Sequence, residues 1–412
     1  MMACSTFVTS MITPPFCIFA NPLLMSSVPN LNFSSSIVPL IEKVIFTLRI
    51  ELNVSVKIAT RNFEERRLKV IDSAFFELSE AVRRIKEKSI ENLDKLLEKA
   101  TKNLEKNGFQ VYYAKDAKDA RKIAEEFFKD CDLIVKSKSN VTYEVEIKEH
   151  LKAIGKEVWE TDLGDLIIQL LNDSPRHFTM PAIHISAEEA MKLFGVNSIE
   201  DLKRKVRAIL REKIIKAEGG ITGANVVSAE GSVFLIENEG NVRLVSSFPR
   251  KHLIFTGVEK IVESFEDAVK VAKLTWMSAG YKTTSYLNVI SGISKSGDVE
   301  KNVIYGLHGP EELGIVFVDN GRMRARDTEF RESLHCLRCG ACLFSCPTYI
   351  VLNADWGCIY HGGIGVIWDY ITGRDFEPFL CVGCGKCREI CPLKINIPEM
   401  IRKLKRLKLE EH

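Results

Sequence analysis

Residues Cys336–Pro347 read CLRCGACLFSCP, and residues Cys381–Pro392 repeat the same spacing as CVGCGKCREICP. Each stretch has the pattern C-x2-C-x2-C-x3-C-P, which is the bacterial run that binds 4Fe-4S clusters. Three cysteines at this spacing allow one tight loop to reach three irons of a cubane, and Gly340, Gly383 and Gly385 allow a close approach of the backbone. The pattern therefore predicts two 4Fe-4S clusters.

The fourth cysteine of each run is predicted to bind the other cluster, because the turn at the following proline carries it away, as in two-cluster ferredoxins. Clusters held in this way lie close together, which suits electron relay. The predicted ligands are Cys336, Cys339, Cys342 and Cys391 for the first cluster, and Cys381, Cys384, Cys387 and Cys346 for the second.

Zinc and disulfides are the structural alternatives for these cysteines. A Cys4 zinc site usually has two C-x2-4-C pairs separated by a longer loop, and not four cysteines in one run. Several disulfides among residues so close in one loop rarely meet the required Cα separations. Cys358 lies between the two runs. Its simplest interpretation is a small buried hydrophobic residue, with a ligand role as the alternative.

The overall composition is that of an ordinary globular protein. The 412 residues are 46% hydrophobic and 27% charged, with a formal net charge of +2. This charge balance gives no support for binding to nucleic acid or to an anionic membrane. Nine of the twelve cysteines lie between Cys336 and Cys391. This clustering favours a local redox module in a reducing cytoplasm over a secreted, disulfide-bonded fold.

The first 41 residues carry no charged side chain. Prolines interrupt every apolar run and no basic segment precedes them, so the stretch is predicted to be neither a signal peptide nor a transmembrane helix. We therefore treat residues 1–52 as an N-terminal extension outside the fold. A translation start further downstream is the preferred interpretation, and a disordered or targeting extension is the alternative.

Residues 53–330 are predicted to form an α/β domain. A helical stretch spans Phe63–Asn107 and ends at a glycine, as a left-handed cap would. Short apolar runs then alternate with helical patterns, which indicates a mostly parallel sheet covered by helices. Residues 225–247 are predicted to form two or three strands, and Tyr281–Pro310 to be loops. The cysteine runs and a closing amphipathic helix are predicted to form a helical ferredoxin domain over residues 331–412.

Polar residues at the predicted strand ends mark candidate sites, because open α/β sheets bind ligands there. Lys136, Ser137 and Ser139 follow one predicted strand and form the candidate anion site. Glu239, in a turn between two predicted strands, is the candidate basic or nucleophilic carboxylate, with a solvated turn residue as the alternative. No Walker A loop and no G-x-G-x-x-G after a strand is present, so nucleotide binding has little support.

Several of these stretches, taken in order, resemble the lactate utilization protein B family. They are KSKSNVTYE (136–144), WETDLGDLIIQLL (159–171), SPRHFTMPAIH (174–184), GITGANVVSAEGSVFLIENEGNVRLVSSFPRKH (220–252), GPEELGIVFVDNGR (309–322) and HCLRCGACLFSCPTY (335–349). The resemblance extends over residues 58–400. It implies a LUD domain, of the type grouped with the sugar-isomerase and CoA-transferase α/β folds, fused to a helical ferredoxin with two clusters.

The family resemblance also implies a role in electron transfer. The family works with two companion proteins, one cysteine-rich and iron-sulfur binding and one a LUD domain alone, in oxidising L-lactate to pyruvate. This chain departs from the family pattern in its complete second cysteine run and in Cys358, which leaves another 2-hydroxy acid or a different oxidoreductase complex open. Since there is no flavin or nicotinamide fingerprint, the first electron acceptor is expected elsewhere. The LUD domain then either binds the hydroxy acid or docks a companion subunit.

Two other functions remain as alternatives. In one, the LUD domain is itself an enzyme with acyl- or CoA-transfer chemistry at Glu239. In the other, the protein is a regulator that senses its clusters, but the sequence contains no helix-turn-helix and no basic recognition surface. The expected location is the cytoplasm, without a transmembrane segment.

Overall fold

A computed structural model of the chain describes residues 55–410. These residues belong to one compact unit, and the boundary predicted near Arg331 falls inside it. The predicted N-terminal extension, residues 1–52, lies outside the described residues. No helix within residues 55–410 combines the length and the apolar character that crossing a bilayer requires.

Helices and strands alternate through most of the unit. The α-helices are α1 (residues 55–68), α2 (Ser73–Glu91), α3 (Leu93–Lys106), α4 (Ala117–Phe127), α5 (Asn140–Glu144), α6 (Ile147–Ala153), α7 (Leu163–Leu171), α8 (Ala187–Phe194), α9 (Ile199–Lys216), α10 (Asn241–Ser247), α11 (Phe265–Ser278), α12 (Arg322–Arg326), α13 (Ala341–Phe344), α14 (Pro347–Leu352), α15 (Gly362–Ile371), α16 (Lys386–Ile390) and α17 (Ile397–Glu410). The strands are β1 (Gln110–Ala114), β2 (Leu133–Lys136), β3 (Glu157–Glu160), β4 (Gly219–Gly223), β5 (Val226–Ser228), β6 (Ser232–Glu237), β7 (Lys251–Gly257), β8 (Ile261–Val262), β9 (Tyr286–Ile290), β10 (Lys295–Val299), β11 (Asn302–Tyr305) and β12 (Glu312–Val318). Short 3-10 helices lie at Val258–Lys260, Arg331–His335 and Asn353–Asp355.

The central layer is a six-stranded sheet with the order β1-β12-β7-β4-β2-β3. Every neighbouring pair in this sheet is parallel. All residues of β7 are buried, and so are all but the first residue of β12. Such continuous burial is typical of a parallel sheet with both faces covered. The prediction of an α/β fold with a mostly parallel sheet is therefore confirmed.

Strand β4 lies in the middle of this sheet, although its sequence, GGITG, has the composition of a turn. No strand is predicted for this segment from its sequence, so the structure corrects the prediction. A Cβ atom at Gly219 would lie 2.8 Å from the ring of Phe128, and one at Gly220 would collide with the carbonyl oxygen of Val245. The glycines are needed because neighbouring elements pack directly on the strand.

A second sheet has four strands in the order β8-β5-β6-β9, and β10 and β11 form a separate hairpin. Strands β9, β10 and β11 all lie within Tyr281–Pro310, so the prediction of loops for that segment was wrong. Strand β9 pairs in antiparallel fashion with β6. Because its partner lies far away in the sequence, a local pattern contains little information about this strand.

The segment Asn241–Ser247 is a helix, and not the third strand that is allowed for in the prediction for residues 225–247. Gly240 has φ +79° and turns the chain after β6. The carboxylate of Glu237 accepts hydrogen bonds from the amides of Val242 at 2.7 Å and Arg243 at 3.2 Å. These bonds satisfy amides that the first turn of a helix leaves without a partner. A side chain from the preceding strand thus stabilises the start of α10.

The helical prediction for Phe63–Asn107 is confirmed, with interruptions at residues 69–72 and at Asn92. Helix α2 begins after Asp72, whose side chain accepts a hydrogen bond from the amide of Phe75 at 2.8 Å. Helix α3 ends at its C-cap, Asn107, and the next residue is a glycine with φ +90°. The predicted left-handed ending is therefore present.

The cysteine-containing segment, residues 331–410, and the α/β layers share one hydrophobic core. A single cluster of buried side chains includes Val82 of α2, Val271 of α11, Ile367 of α15 and Leu404 of α17. Helix α17 is the predicted closing helix, and it buries one apolar face. The cysteine loops are consequently held in a fixed position against the α/β layers.

Candidate metal centre and adjoining cavity

A first cavity near the end of the chain is lined by four cysteines, which are Cys336, Cys339, Cys342 and Cys391. The loop that carries the first three of them turns at Arg338, with φ +61°, and at Gly340, with φ +79°. The remaining lining residues are mostly apolar: Phe178, Leu337, Gly340, Ala341, Ile364, Pro392, Leu393, Ile395 and Ile397. The cavity is therefore an apolar space into which thiols converge from both cysteine runs.

A second cavity is lined by the other four motif cysteines, which are Cys346, Cys381, Cys384 and Cys387. Cys342 also lines this cavity, so the two cavities share a wall. Cys384 is exposed, whereas all four cysteines of the first cavity are at least partly buried. Val382, beside the second cavity, is 69% exposed. The loop that carries Val382 and Cys384 therefore lies at the surface.

The thiols of both cavities fit a cationic group. Burial raises the pKa of Cys391 to about 12 and that of Cys387 to about 12, and negative charge on neighbouring cysteines raises both. Burial raises the pKa of Cys342 well above its ordinary value for the same reasons. The polypeptide provides too little positive charge to hold so many thiolates together. Iron in a 4Fe-4S cluster provides that charge when bound, and exchanges single electrons.

Other uses of the cysteines have less support. The ten cysteines among the described residues form no disulfide. Within residues 55–410, no group of three or more His, Cys, Asp or Glu side chains could hold a single metal ion. A 4Fe-4S cubane does not require three protein ligands on one metal ion, because each of its four irons binds one thiolate. The lining residues of the two cavities do not include Cys358, whose amide donates a hydrogen bond to Asp369 Oδ2 at 2.9 Å.

Buried cations contact both loops that border the first cavity. Lys260 Nζ donates a hydrogen bond to the carbonyl oxygen of Cys336 at 2.9 Å. Arg67 donates from one terminal nitrogen to the carbonyl oxygen of Ile390, the residue before Cys391, at 2.6 Å. Both cations come from parts of the chain that are distant in sequence from the cysteine runs. The α/β layers therefore supply positive charge to the cysteine-lined site.

A third cation, Lys86 of α2, lies behind Lys260. Lys86 is 2% exposed, and its Nζ donates a hydrogen bond to the carbonyl oxygen of Glu259. Burial lowers the pKa of Lys86 to about 7 and that of Lys260 to about 8, while the negative charges of Glu259 and Cys336 oppose the shift. The polypeptide alone therefore compensates a positive charge on these two amino groups poorly.

Arg322 is fully buried between two carboxylates and holds the α/β layers to the cysteine-containing segment. Its Nε donates to Glu259 Oε2 at 2.6 Å, and its two terminal nitrogens donate to the Glu144 oxygens at 2.7 and 2.8 Å. The hydroxyl of Tyr360, from the cysteine-containing segment, also donates to Glu144. Burial raises the pKa of Glu259, but the charges of Arg322 and Lys260 outweigh it and hold the value at about 2.

A larger cavity, of about 330 Å³, lies next to the first cysteine loop, and we call it the junction cavity. Cys339 forms part of one wall, and Lys138, Asp162 and Glu239 form part of another. Lys138 Nζ donates to Asp162 Oδ2 at 2.6 Å, and Glu239 accepts a hydrogen bond from the amide of Leu163 at 3.3 Å. The cavity thus brings acid-base groups of the α/β layers and a motif cysteine into one space.

The residues of the predicted anion site do not line this cavity. Lys136 Nζ is fully buried and lies 3.0 Å from both carboxylate oxygens of Glu160. Ser137 is buried, and Ser139 caps helix α5. The residues that line the junction cavity include Lys138 but none of these three. Lys136 is ion-paired and Ser139 caps a helix, whereas the buried hydroxyl of Ser137 has no hydrogen-bond partner within residues 55–410, so an anion site at these three residues stays a prediction.

Glu239 is exposed at the edge of the junction cavity, between β6 and α10. Desolvation in the cavity and the negative charge of Asp162 raise the pKa of Glu239 to about 7, while Lys138 opposes the shift. A carboxyl group that changes its protonation near neutral pH is suited to general acid-base chemistry. Glu239, the predicted reactive carboxylate, therefore borders a cavity. It is followed by helix α10 and not by the second predicted strand.

We expect the substitution Glu239→Gln to raise the free energy of unfolding at pH 8 more than at pH 5. The folded protein holds a proton on Glu239 up to a pH of about 7, whereas the unfolded chain releases it at a lower pH. This carboxyl group therefore lowers stability as the pH rises between those two values. Urea unfolding at both pH values measures the effect, with Glu105→Gln, at an exposed helical position, as the control. An equal gain at both pH values would contradict the expectation.

Sequence reasoning missed several residues of the junction cavity, namely Arg66, Lys138 and Asp162. Lys138 and Asp162 lie in polar stretches that follow strands β2 and β3, so a local signal for them existed. Arg66 lies on α1, far away in sequence, and its position depends on how that helix packs. Strand ends could therefore be found from sequence, but the side chains that share a cavity could not.

Family models match most of the described chain. The LUD domain model matches residues 97–318, and a 4Fe-4S dicluster domain model matches residues 332–395. The second match confirms the prediction of two 4Fe-4S clusters, and the chain is an iron-sulfur protein with two such clusters.

Two curated relatives are similar to most of this chain. Lactate utilization protein B of Geobacillus thermodenitrificans strain NG80-2 is 38% identical over 366 residues, which cover 84% of this chain and 75% of the relative. Lactate utilization protein B of Bacillus subtilis strain 168 is 39% identical over 336 residues, which cover 77% and 68%. A solved structure of a DUF162 family protein from Deinococcus radiodurans is 14% identical, with a TM-score of 0.30 and coverage of 55% of this chain and 98% of that one. This last similarity is too weak to support an assignment. On the two relatives and the two matched models, the chain belongs to the lactate utilization protein B family.

Proposed function

We propose that this protein is the iron-sulfur electron-transfer subunit of a multi-protein system that oxidises L-lactate, or a related 2-hydroxy acid, to the 2-oxo acid. The relatives' name supports lactate as the substrate of the system. The observation that carries electron transfer is the pair of cysteine-lined cavities with a shared wall at Cys342. Two redox groups so close together suit the passage of single electrons from one to the other.

The ligand sets that we propose cross between the two runs. The lining of the first cavity, with three cysteines of the first run and Cys391 of the second, supports the first set. The lining of the second cavity, with Cys346 of the first run among cysteines of the second, supports the other. The first cluster is then held by Cys336, Cys339, Cys342 and Cys391, and the second by Cys381, Cys384, Cys387 and Cys346.

The junction cavity is the proposed place for the hydroxy acid or for a group from a companion subunit. Its position beside Cys339 puts an occupant next to the first cluster. Lys138, which pairs with Asp162 but keeps 30% of its side chain exposed, is a cation at this cavity, and Glu239 can accept a proton. The proposed companions are a cysteine-rich iron-sulfur protein and a protein with a LUD domain alone, and the exposed Cys384 offers them access to the second cluster. The cytoplasm remains the predicted location.

Anaerobic analysis of the purified full-length chain tests the electron-transfer role. We expect about eight irons and as many sulfides per chain, and an EPR spectrum of two interacting spins after reduction, since two neighbouring 4Fe-4S clusters contain that much metal. Lactate added together with the companion proteins should then reduce the clusters. Zinc in place of iron would refute the role, and clusters that lactate does not reduce would refute the substrate.

Acyl or CoA transfer at Glu239 is a second candidate function. One observation favours it, namely that the carboxyl group borders a cavity and has a pKa of about 7. An assay for CoA exchange with the full-length chain and its Glu239→Gln variant separates the two functions. Exchange that the substitution abolishes would support a transferase, and no exchange by either protein would leave electron transfer as the function.

A further inference from the structure

We propose that buried cations around the first cysteine cavity provide the counter-charge for the cluster in that cavity and raise its reduction potential above that of the second cluster. The inference rests on the proposed function, because it uses the two crossed ligand sets. The cations are Arg67, Lys86, Lys260, Arg322 and Arg338, and the carboxylates among them are Glu144 and Glu259. We call these residues the cation shell.

The cation shell contacts the loops that carry the cysteines of the first cavity. Lys260 and Arg67 donate hydrogen bonds to backbone carbonyls of the two loops that carry its cysteines. Arg338 lies between two of those cysteines in sequence, and its side chain is 8% exposed. The guanidinium group of Arg338 stacks 3.9 Å from the ring centroids of Tyr360 and Trp368. These contacts hold the positive charges next to the loops that carry the cysteines.

Within the described chain, the protein groups of the cation shell do not neutralise one another. Five cations face two carboxylates, and both carboxylates are already engaged by Arg322. The terminal nitrogens of Arg338 are buried and make no hydrogen bond, and their ion pair with Glu259 Oε1 is 3.5 Å long. Buried charge without a partner is strongly unfavourable. The shell is therefore built for an anionic neighbour, and the first cysteine cavity is beside it.

A 4Fe-4S cluster with four thiolate ligands is such an anion, and reduction adds one more negative charge. The shell therefore attracts the reduced cluster more strongly than the oxidised cluster, and this raises the reduction potential. Burial alone has the opposite effect, because a low dielectric disfavours added charge. The same low dielectric strengthens the attraction of the buried cations, so these cations are expected to decide the sign.

The second cavity has positive charges of a different kind. Lys405 donates a hydrogen bond to the carbonyl oxygen of Cys381 at 2.8 Å, but its side chain is partly exposed. Lys386 and Arg388 are exposed. Water and salt screen charges of this type. We therefore expect the first cluster to have the higher reduction potential. A protein that carries one electron then holds it mainly on the first cluster.

Redox titration of the full-length protein, followed by EPR, tests this order. We expect two midpoints, with the higher one belonging to the first cluster. Cys384→Ala should retain the first cluster and its higher midpoint, and Cys339→Ala should retain the second cluster and the lower midpoint. A first cluster whose midpoint is equal to or below that of the second would overturn the proposal.

Substitutions in the cation shell test whether its charges cause the difference between the two reduction potentials. We expect Lys86→Met to lower the ratio of reduced to oxidised first cluster about tenfold at a fixed potential, which corresponds to about 59 mV for a one-electron couple. The midpoint of the second cluster should not move. Lys86→Arg retains the charge and should retain the midpoint. The matched control is Lys386→Met, which is exposed although it is adjacent to Cys387 in sequence, and it should shift neither midpoint.

A second lysine variant and the iron content separate a failure of the cation shell from a failure of the proposed function. Lys260→Met gives a second measurement of the same effect if Lys86→Met does not fold with both clusters, and an unchanged midpoint there would overturn the proposal. A protein without iron would refute the proposed function itself. A protein with both clusters, but with midpoints that do not respond to either lysine substitution, would refute only the role of the cation shell.

Discussion

The double variant Cys391→Ala/Cys339→Ala is expected to retain about four irons per chain, whereas Cys391→Ala/Cys384→Ala is expected to lose both intact clusters. The reason is the crossed lining of the two cavities. Cys391 and Cys339 line the first cavity, while Cys384 lines the second. The first pair of substitutions therefore removes two ligands of one cluster, and the second pair removes one ligand from each.

Uncrossed ligand sets predict the reverse result. If each run held its own cluster, Cys391 and Cys384 would belong to the same cluster, and the variant lacking both would be the one that retains about four irons. Iron and sulfide analysis under anaerobic conditions distinguishes the outcomes, and EPR shows whether the remaining spins still interact. Cys358→Ala, outside both cavity linings, is the control and should retain both clusters.

Arg322→Met is expected to lower the free energy of unfolding by about 3–5 kcal/mol, the usual effect of removing one partner from a buried ion pair. The guanidinium group has no exposed side-chain area and makes hydrogen bonds of 2.6–2.8 Å to Glu144 and Glu259. Methionine keeps an apolar side chain in the space, but leaves two buried carboxylates without their main partner. Urea unfolding at neutral pH measures the difference.

The matched control for this prediction is Arg84→Met. Arg84 pairs with Glu80 on the surface of α2, where their side chains are 67% and 69% exposed. A surface pair of this type contributes at most about 1 kcal/mol. A loss for Arg322→Met no larger than the loss for Arg84→Met would show that the buried network does not stabilise the fold. Iron content measured on both variants would show whether the network also holds the cysteine loops in place.

Features that depend on neighbouring residues could be predicted from the sequence. The cysteine spacing indicates the type of cofactor, because three ligands of one cubane come from a single loop. Alternating apolar and helical segments predict the parallel sheet, since each strand and helix carries its own periodicity. The glycine after Asn107 predicts the end of α3, because only its backbone conformation is required.

Features that depend on distant neighbours could not be predicted in this way. Strand β4 consists largely of glycine because Phe128 and α10 pack against it, so its composition indicates a turn. Lys136 has the position of an anion-binding residue in sequence. The parallel register of β2 and β3 places Glu160 directly opposite Lys136. The carboxylate of Glu160 forms an ion pair with Lys136 and compensates the charge of the lysine.

The sequence by itself thus determined the cofactor, the α/β fold class and the family, since motif spacing and periodicity are local properties of the chain. Only the tertiary structure decided where the charges lie. Lys86, Lys260 and Arg67 are separated from the cysteine runs by long stretches of sequence, and the packing of α1, α2 and the strands brings them to the first cavity. Electrostatic interactions act through space, so the difference between the two cysteine sites is a property of the folded protein.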